Sequence, residues 1–220
     1  MKAMSTVSNR RNLINHNSSM DPLANPFPAA DLLDWYYMHK RDLPWRDTKE
    51  PYSIWVSEIM LQQTRVATVI PYYQRFMIRF PTVCDLAGAE LDDLLKLWEG
   101  LGYYRRAVYM HKAAQVICYE RYGHFPTTAT ELQALPGIGA YTSAAIASIA
   151  FGEPIAAVDG NVHRVIARYY GLESDLRKTE TQHEIRILAQ NALSHTDPGG
   201  FNQALMDLGS GVCTPSTPSC

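Results

Sequence analysis

LPGIGAYTSAAIASIAFG, Leu135–Gly152, begins with a turn and continues as a helix of small and apolar residues. Pro136 together with Gly137 and Gly139 makes a tight reversal, and the helix begins near Ala140. A reversal of this kind presents backbone N–H groups at a helix N-terminus, where a phosphate is well accommodated. Glycine lets a bulky anion come close to the backbone. Taken alone, Pro-Gly-x-Gly reads equally well as punctuation between two helices.

Outward from this turn the periodicity is helical almost throughout. AADLLDWYYMHK places Leu32, Leu33, Tyr36 and Tyr37 at helical spacing and stops before RDLPWR. Pro51 suits a helix start, and SIWVSEIMLQQTRVATVIPYYQRFMIRF follows, with an interruption expected near Pro71. DLAGAELDDLLKLWEGLG and RRAVYMHKAAQVICYERYG end on the stop signals Gly102 and Gly123. DGNVHRVIARYYG, ETQHEIRILAQNALS and GGFNQALMDLGSGVC complete the set. No sustained period-two alternation with hairpin turns occurs, so the expected class is all-α.

Composition sets broad bounds. A chain of 220 residues with 46% hydrophobic content can form one large domain or two small lobes. No apolar run reaches the ~20 residues of a membrane span, so no membrane partner is expected. The first 28 residues lack a secretory core and read as a flexible tail; a transit peptide stays open, because Arg10 and Arg11 precede the first acid, Asp21. A net charge of −2 gives no global sign of nucleic-acid binding, although Arg65, Arg75, Arg79, Arg105, Arg106 and Lys112 supply basic surface mid-chain. Cys84 and Cys118 sit singly in apolar segments and read as buried thiols rather than as a disulfide. Cys213 and Cys220 bracket TPSTPS, a spacing that suggests metal or cluster ligation, with two free cysteines as the competing reading.

Four short stretches carry candidate chemistry. In WVSEIMLQQT, Trp55–Thr64, Glu58 is the single charged side chain, with Ile54, Trp55 and Leu61 one helical turn away. It reads either as a half-exposed glutamate or as a carboxylic acid kept from water. Asp159 in VDGNVHR is a helix N-cap in form, and Asn161 supports the same turn. GLGYYRRA offers Tyr103 or Tyr104 to stack on bases and two arginines to meet phosphates, against core packing and solvation as the alternative. DLPWR is either a loop buried by Trp45 or the wall of an aromatic-recognising pocket.

In order, SEIMLQQT, GLGYYRRA, LPGIGAYTSAAI, VDGNVHRV, FNQALMDLG and the terminal C-x6-C closely resemble the adenine-DNA glycosylases of the endonuclease III-like helix–hairpin–helix superfamily. The likeness runs from about Asp31 to Cys220, and Gln-Gln-Thr after the glutamate narrows it to the adenine-specific branch. It implies a helix–hairpin–helix glycosylase fold, two helical lobes with the active site in the groove between them. The expected division is residues 29–44 plus 156–220 in one lobe and 45–155 in the other. It also implies base-excision repair on double-stranded DNA carrying A·8-oxoguanine or A·G, by a monomer. The expected setting is the cytoplasm and nucleoid of a bacterium, or the nucleus or mitochondrion of a eukaryote.

By the same resemblance Glu58 is the general acid that protonates adenine and Asp159 the carboxylate beside the anomeric carbon, with Tyr141 and Asn161 in support. Arg41, Leu43, Trp45, Arg46 and Gln203 match the lining of a flipped-adenine pocket. Gln62, Gln63, Thr64 and Tyr103 match residues that contact or wedge near the opposite purine. Leu135, Gly137 and Gly139 match the phosphate-binding hairpin. A tyrosine at 141, where strand-nicking relatives carry lysine, implies a monofunctional enzyme. The family closes a [4Fe–4S] cluster with C-x6-C-x2-C-x5-C; here Cys213 and Cys220 match the first two ligands, so the expectation is a truncated motif that holds no cluster in this chain. The competing expectations are another glycosylase of the superfamily, such as one acting on T·G, and a non-catalytic DNA-binding module.

Overall fold

The computed structural model describes residues 26–220. All but the last three residues of the expected tail, 1–28, lie outside the described residues. Among those described there are eleven α-helices, one π-helical turn and no strand. The helices are α1 (Ala29–His39), α2 (Pro51–Leu61), α3 (Val66–Arg79), α4 (Val83–Ala87), α5 (Leu91–Trp98) and α6 (Arg105–Gln115). After the π-helical turn Val116–Glu120 come α7 (Ala129–Gln133), α8 (Ala140–Phe151), α9 (Gly160–Tyr169), α10 (Thr179–Ala192) and α11 (Pro198–Gly211).

Local chemistry sets most of the helix starts. Pro51 and Pro198 stand at first-turn positions of α2 and α11, where a missing N–H costs nothing. Thr82 and Asp85 form a reciprocal capping box on α4. Thr128 caps α7 and Asp197 caps α11 through their side chains. Gly152, in the left-handed region at φ 73°, closes α8.

Two expectations from the sequence need correction. Pro71 does not interrupt its segment: α3 runs through it, and the break falls earlier, at Gln62–Arg65. Burial of Val69, Tyr73 and Phe76 along one face of α3 outweighs the local cost of the proline. Nor are Cys84 and Cys118 separate buried thiols. Their sulfurs are bonded, and Cys84 lies at the surface. Packing of α4 against the π-helical turn brings their Cα atoms to 5.1 Å across 34 residues of chain, a separation that a bridge can span.

The apolar residues gather into two main cores. The larger one unites α2 to α8 around Trp55, Phe76, Phe80, Trp98 and Ile146. The second joins α1, α9, α10 and α11 around Tyr36, Ile166, Ile185 and Phe201. α11 lies against both α8 and α9, so one helix borders the two cores. α2 is buried from Tyr52 to Met60, on every face rather than along one stripe.

Candidate active site

A cavity of about 500 Å³ opens where α2, α8, α9 and α11 approach one another. Twelve of the residues singled out from the sequence line it: Arg41, Leu43, Trp45, Arg46, Glu58, Gln62, Gln63, Thr64, Tyr141, Asp159, Asn161 and Gln203. Residues from five separate stretches of chain thus meet at one void.

Glu58 reaches this void from the buried stretch of α2 and is 8% exposed. Burial pushes its carboxyl up to about 7, and the nearby Asp159 adds to that. The Tyr141 hydroxyl and the Arg46 guanidinium pull it part of the way back. Desolvation wins because charge is disfavoured where water is excluded and no cation pairs directly with the group. Tyr141 is itself raised well above its ordinary value by burial, so its hydroxyl stays protonated, with one proton to give either to Glu58 or to Met206 Sδ, 3.4 Å away.

Asp159 is set up differently. It caps α9, with Oδ1 accepting from Asn161 N at 2.9 Å and Val162 N at 2.8 Å and Oδ2 accepting from Asn161 Nδ2 at 2.8 Å. Three N–H donors thus hold both carboxyl oxygens in place at the start of α9. The approach segment is fastened by side-chain amides: Asn202 accepts from Ala157 N and donates to Ile155 O, and Gln190 accepts from Ala156 N. Arg164 donates to Asn161 Oδ1 at 2.9 Å and to the carbonyls of Gly209 and Cys213, which fixes the amide that in turn fixes Asp159.

Arg41 and Arg46 both donate to Asp207, a residue the sequence reading missed. Arg46 reaches it through two nitrogens, at 2.6 and 2.9 Å, and also donates to the Tyr36 hydroxyl. Burial alone would raise the Asp207 carboxyl, but the two guanidiniums hold it below the usual carboxylate value. The signal was present, since Asp207 stands four residues after Gln203 on one helix and so shares its face. Trp45 and Leu43 are buried, with the Trp45 ring edge-on to Tyr73 at 5.1 Å, so DLPWR both fills core and walls the cavity.

A second cavity of about 520 Å³ adjoins the first and shares Gln62 and Gln63 with it. Tyr103, Tyr104 and Gly137 also border it. Of the two arginines expected to meet phosphates, Arg105 is exposed beside Tyr109, whereas Arg106 points inward and donates to backbone carbonyls. At the hairpin, Leu135 and Ile138 anchor the turn in the core. Gly137 has φ 75°, and a Cβ there would lie 2.5 Å from Tyr109 Cβ, so both conformation and space require glycine. Gly139 leads into α8 without a side-chain cap.

Cys213 is buried, with Arg168 Nη1 3.3 Å from its sulfur, and Cys220 is exposed. Among the described residues no three His, Cys, Asp or Glu side chains gather as a metal site. Two thiols are half the complement of a [4Fe–4S] cluster, so the described residues do not by themselves fit one. No helix among them is long and apolar enough to cross a membrane.

Mouse adenine DNA glycosylase is 48% identical over 200 residues, which cover 87% of this chain and 39% of the mouse protein. The human adenine DNA glycosylase is also 48% identical, over 87% of this chain and 37% of its own length. The chain therefore spans well under half the length of these relatives. A solved thermostable thymine-DNA glycosylase superposes with a TM-score of 0.79 at 30% identity, over 87% of this chain and 88% of that one. The family model for HhH-GPD superfamily base excision DNA repair proteins matches residues 56–190, from inside α2 to the last turns of α10. On that match and on the helical fold that carries it, the chain belongs to the HhH-GPD superfamily of base excision DNA repair proteins.

Proposed function

We propose that this chain is the catalytic part of a monofunctional DNA glycosylase that removes adenine mispaired with 8-oxoguanine or guanine. The observation that carries the reading is the pair Glu58 and Asp159 on one cavity, one carboxyl pushed up to about 7 by burial and the other ringed by three N–H donors. Adenine leaves deoxyribose poorly as an anion, so the reaction needs a protonated acid near neutrality, and Glu58 serves as that acid. As the glycosidic bond lengthens, positive charge grows on the sugar, and Asp159 stabilises it. Glu58, having given up its proton, then takes one from the incoming water.

The target base lies inside a duplex and must be extruded, at a cost of about a few kcal/mol that is smaller at a mismatch. The Arg41, Trp45, Arg46 and Gln203 wall receives it, while Gln63, Thr64 and Tyr103 stand at the opposite base. The Leu135–Gly139 hairpin holds the backbone by its amides. The tyrosine at 141 supports hydrolysis without a Schiff base. A cluster site requires thiols beyond Cys213 and Cys220, and no step of this chemistry uses one.

Single-turnover excision from duplexes carrying A·8-oxoguanine, A·G, T·G and A·T is the test. The expected order places both mispaired adenines far ahead of T·G and A·T. Release of thymine instead would support the second reading, which the likeness to a thymine-DNA glycosylase favours. Asp159→Asn is expected to bind DNA without excising. If no base is released while DNA is still bound, the chain is a binding module.

A further inference from the structure

We infer that Arg106 is a positioning residue for duplex opening: it fastens the Gln62–Arg65 turn and the Leu101–Tyr103 loop into one jaw, so that Gln63 and Tyr103 enter the helix as a single unit. The inference rests on the base-excision reading above. One guanidinium serves both segments. Nη1 donates to Ile59 O at 2.8 Å, Met60 O at 3.1 Å and Gln62 O at 2.6 Å. Nη2 donates to Leu101 O and Gly102 O, each at 3.1 Å. The first set closes the carbonyls left open at the end of α2; the second belongs to the loop ahead of α6.

Two of these acceptors are telling. Gln62 O and Gly102 O are the carbonyls of the peptide units just before Gln63 and Tyr103. Those two residues hold φ of 57° and 47°, the left-handed region that a side chain other than glycine seldom occupies. Such a conformation persists only where the surroundings over-determine it. Arg106 fixes the peptide plane ahead of each, and Trp98 Nε1 adds a donor to Gly102 O at 3.1 Å.

The two side chains thus presented are exposed, Tyr103 at 64%, and line the same cavity of about 520 Å³ beside the catalytic one. The Arg106 guanidinium lies 5.7 Å from the centre of the Tyr103 ring and 5.4 Å from that of Trp98. A wedge already held in shape loses little freedom when it enters the stack, whereas a mobile one must be ordered at that moment. Lysine keeps the charge but has no planar fork to bind both segments at once.

The experiment compares the full chain with its Arg106→Lys variant on two DNAs. On an intact A·8-oxoguanine duplex with 2-aminopurine beside the target, stopped-flow fluorescence reads the opening rate. On a duplex that already carries an abasic site, nothing is left to extrude, and affinity reads general integrity. Arg106→Lys is expected to slow opening at least ~10-fold while abasic-site affinity stays within ~3-fold. Equal losses on the two DNAs, or an unchanged opening rate, overturn the proposal. A wild-type chain that never opens the duplex overturns the base-excision reading itself. Should Arg106→Lys not fold, a cycle of Gln63→Ala and Tyr103→Ala decides. Strongly non-additive effects on opening support a shared jaw, and effects that multiply within ~2-fold overturn it.

Discussion

At the scale of single residues, Glu58 shows what a buried carboxyl does to the protein that holds it. Its folded-state value of about 7 stands above the ordinary 4.5. A raised carboxyl favours the folded state fully at pH below its unfolded value, and that contribution is lost as pH rises through 7. Above neutrality the native protein therefore carries a desolvated carboxylate, at a cost on the order of 3 kcal/mol. Glu58→Gln removes that cost while keeping the shape. In urea titrations the variant is expected to exceed the wild type in stability at about pH 8, with the gap closing towards about pH 5. A gap independent of pH would show that Glu58 does not titrate in this range. The same variant should lose excision, the usual conflict between a stable site and a working one.

At the scale of elements, the site depends on how closely α11 approaches α9. Gly209 makes the contact: a Cβ there would stand 2.6 Å from Asn161 Cβ and 3.1 Å from its Cα. Asn161 is the residue that donates twice to Asp159. Gly209→Ala therefore presses on the Asp159 cap and not only on a packing seam. Overpacking of this kind costs about 1–3 kcal/mol. The excision rate is expected to fall by more than the stability loss explains, about 10-fold or more, since a displaced carboxylate loses its alignment. Measuring both on one preparation separates the two effects; full activity in a destabilised Gly209→Ala would free Asn161 from this role. The helix pattern of α9 and α11 was readable from periodicity and capping residues. The glycine contact was not, because nothing in a sequence states which helix lies opposite.

At the scale of the molecule, the cavity depends on Arg41 and Arg46, which arrive ahead of α2, being tied to Asp207 on α11. This three-residue network links the start of the described chain to its end. Asp207 is 6% exposed and pairs with two cations, so its removal leaves Arg46 buried without a counter-charge. Asp207→Ala is expected to destabilise by about 3–5 kcal/mol, by denaturant melts, because an orphaned buried charge is far costlier than a missing surface pair. A loss below about 1 kcal/mol would mean that water enters and replaces the carboxylate. The overall charge of −2 bears on none of this: the guanidiniums act through where they are held, not through the total.

The helical class, the Pro-Gly-x-Gly reversal and the Asp159 cap follow from residues near in the chain, by local rules of spacing and capping; Glu58 stood out there only as a lone charge on an apolar stretch, and its role came from the family resemblance. Tertiary structure alone decided that Glu58 and Asp159 share a cavity, that Asp207 binds two arginines, that Cys84 bonds to Cys118, and that Arg106 faces inward. Those outcomes depend on which elements pack together across long stretches of chain. Burial, which sets the acidity of Glu58, exists only once that packing has closed.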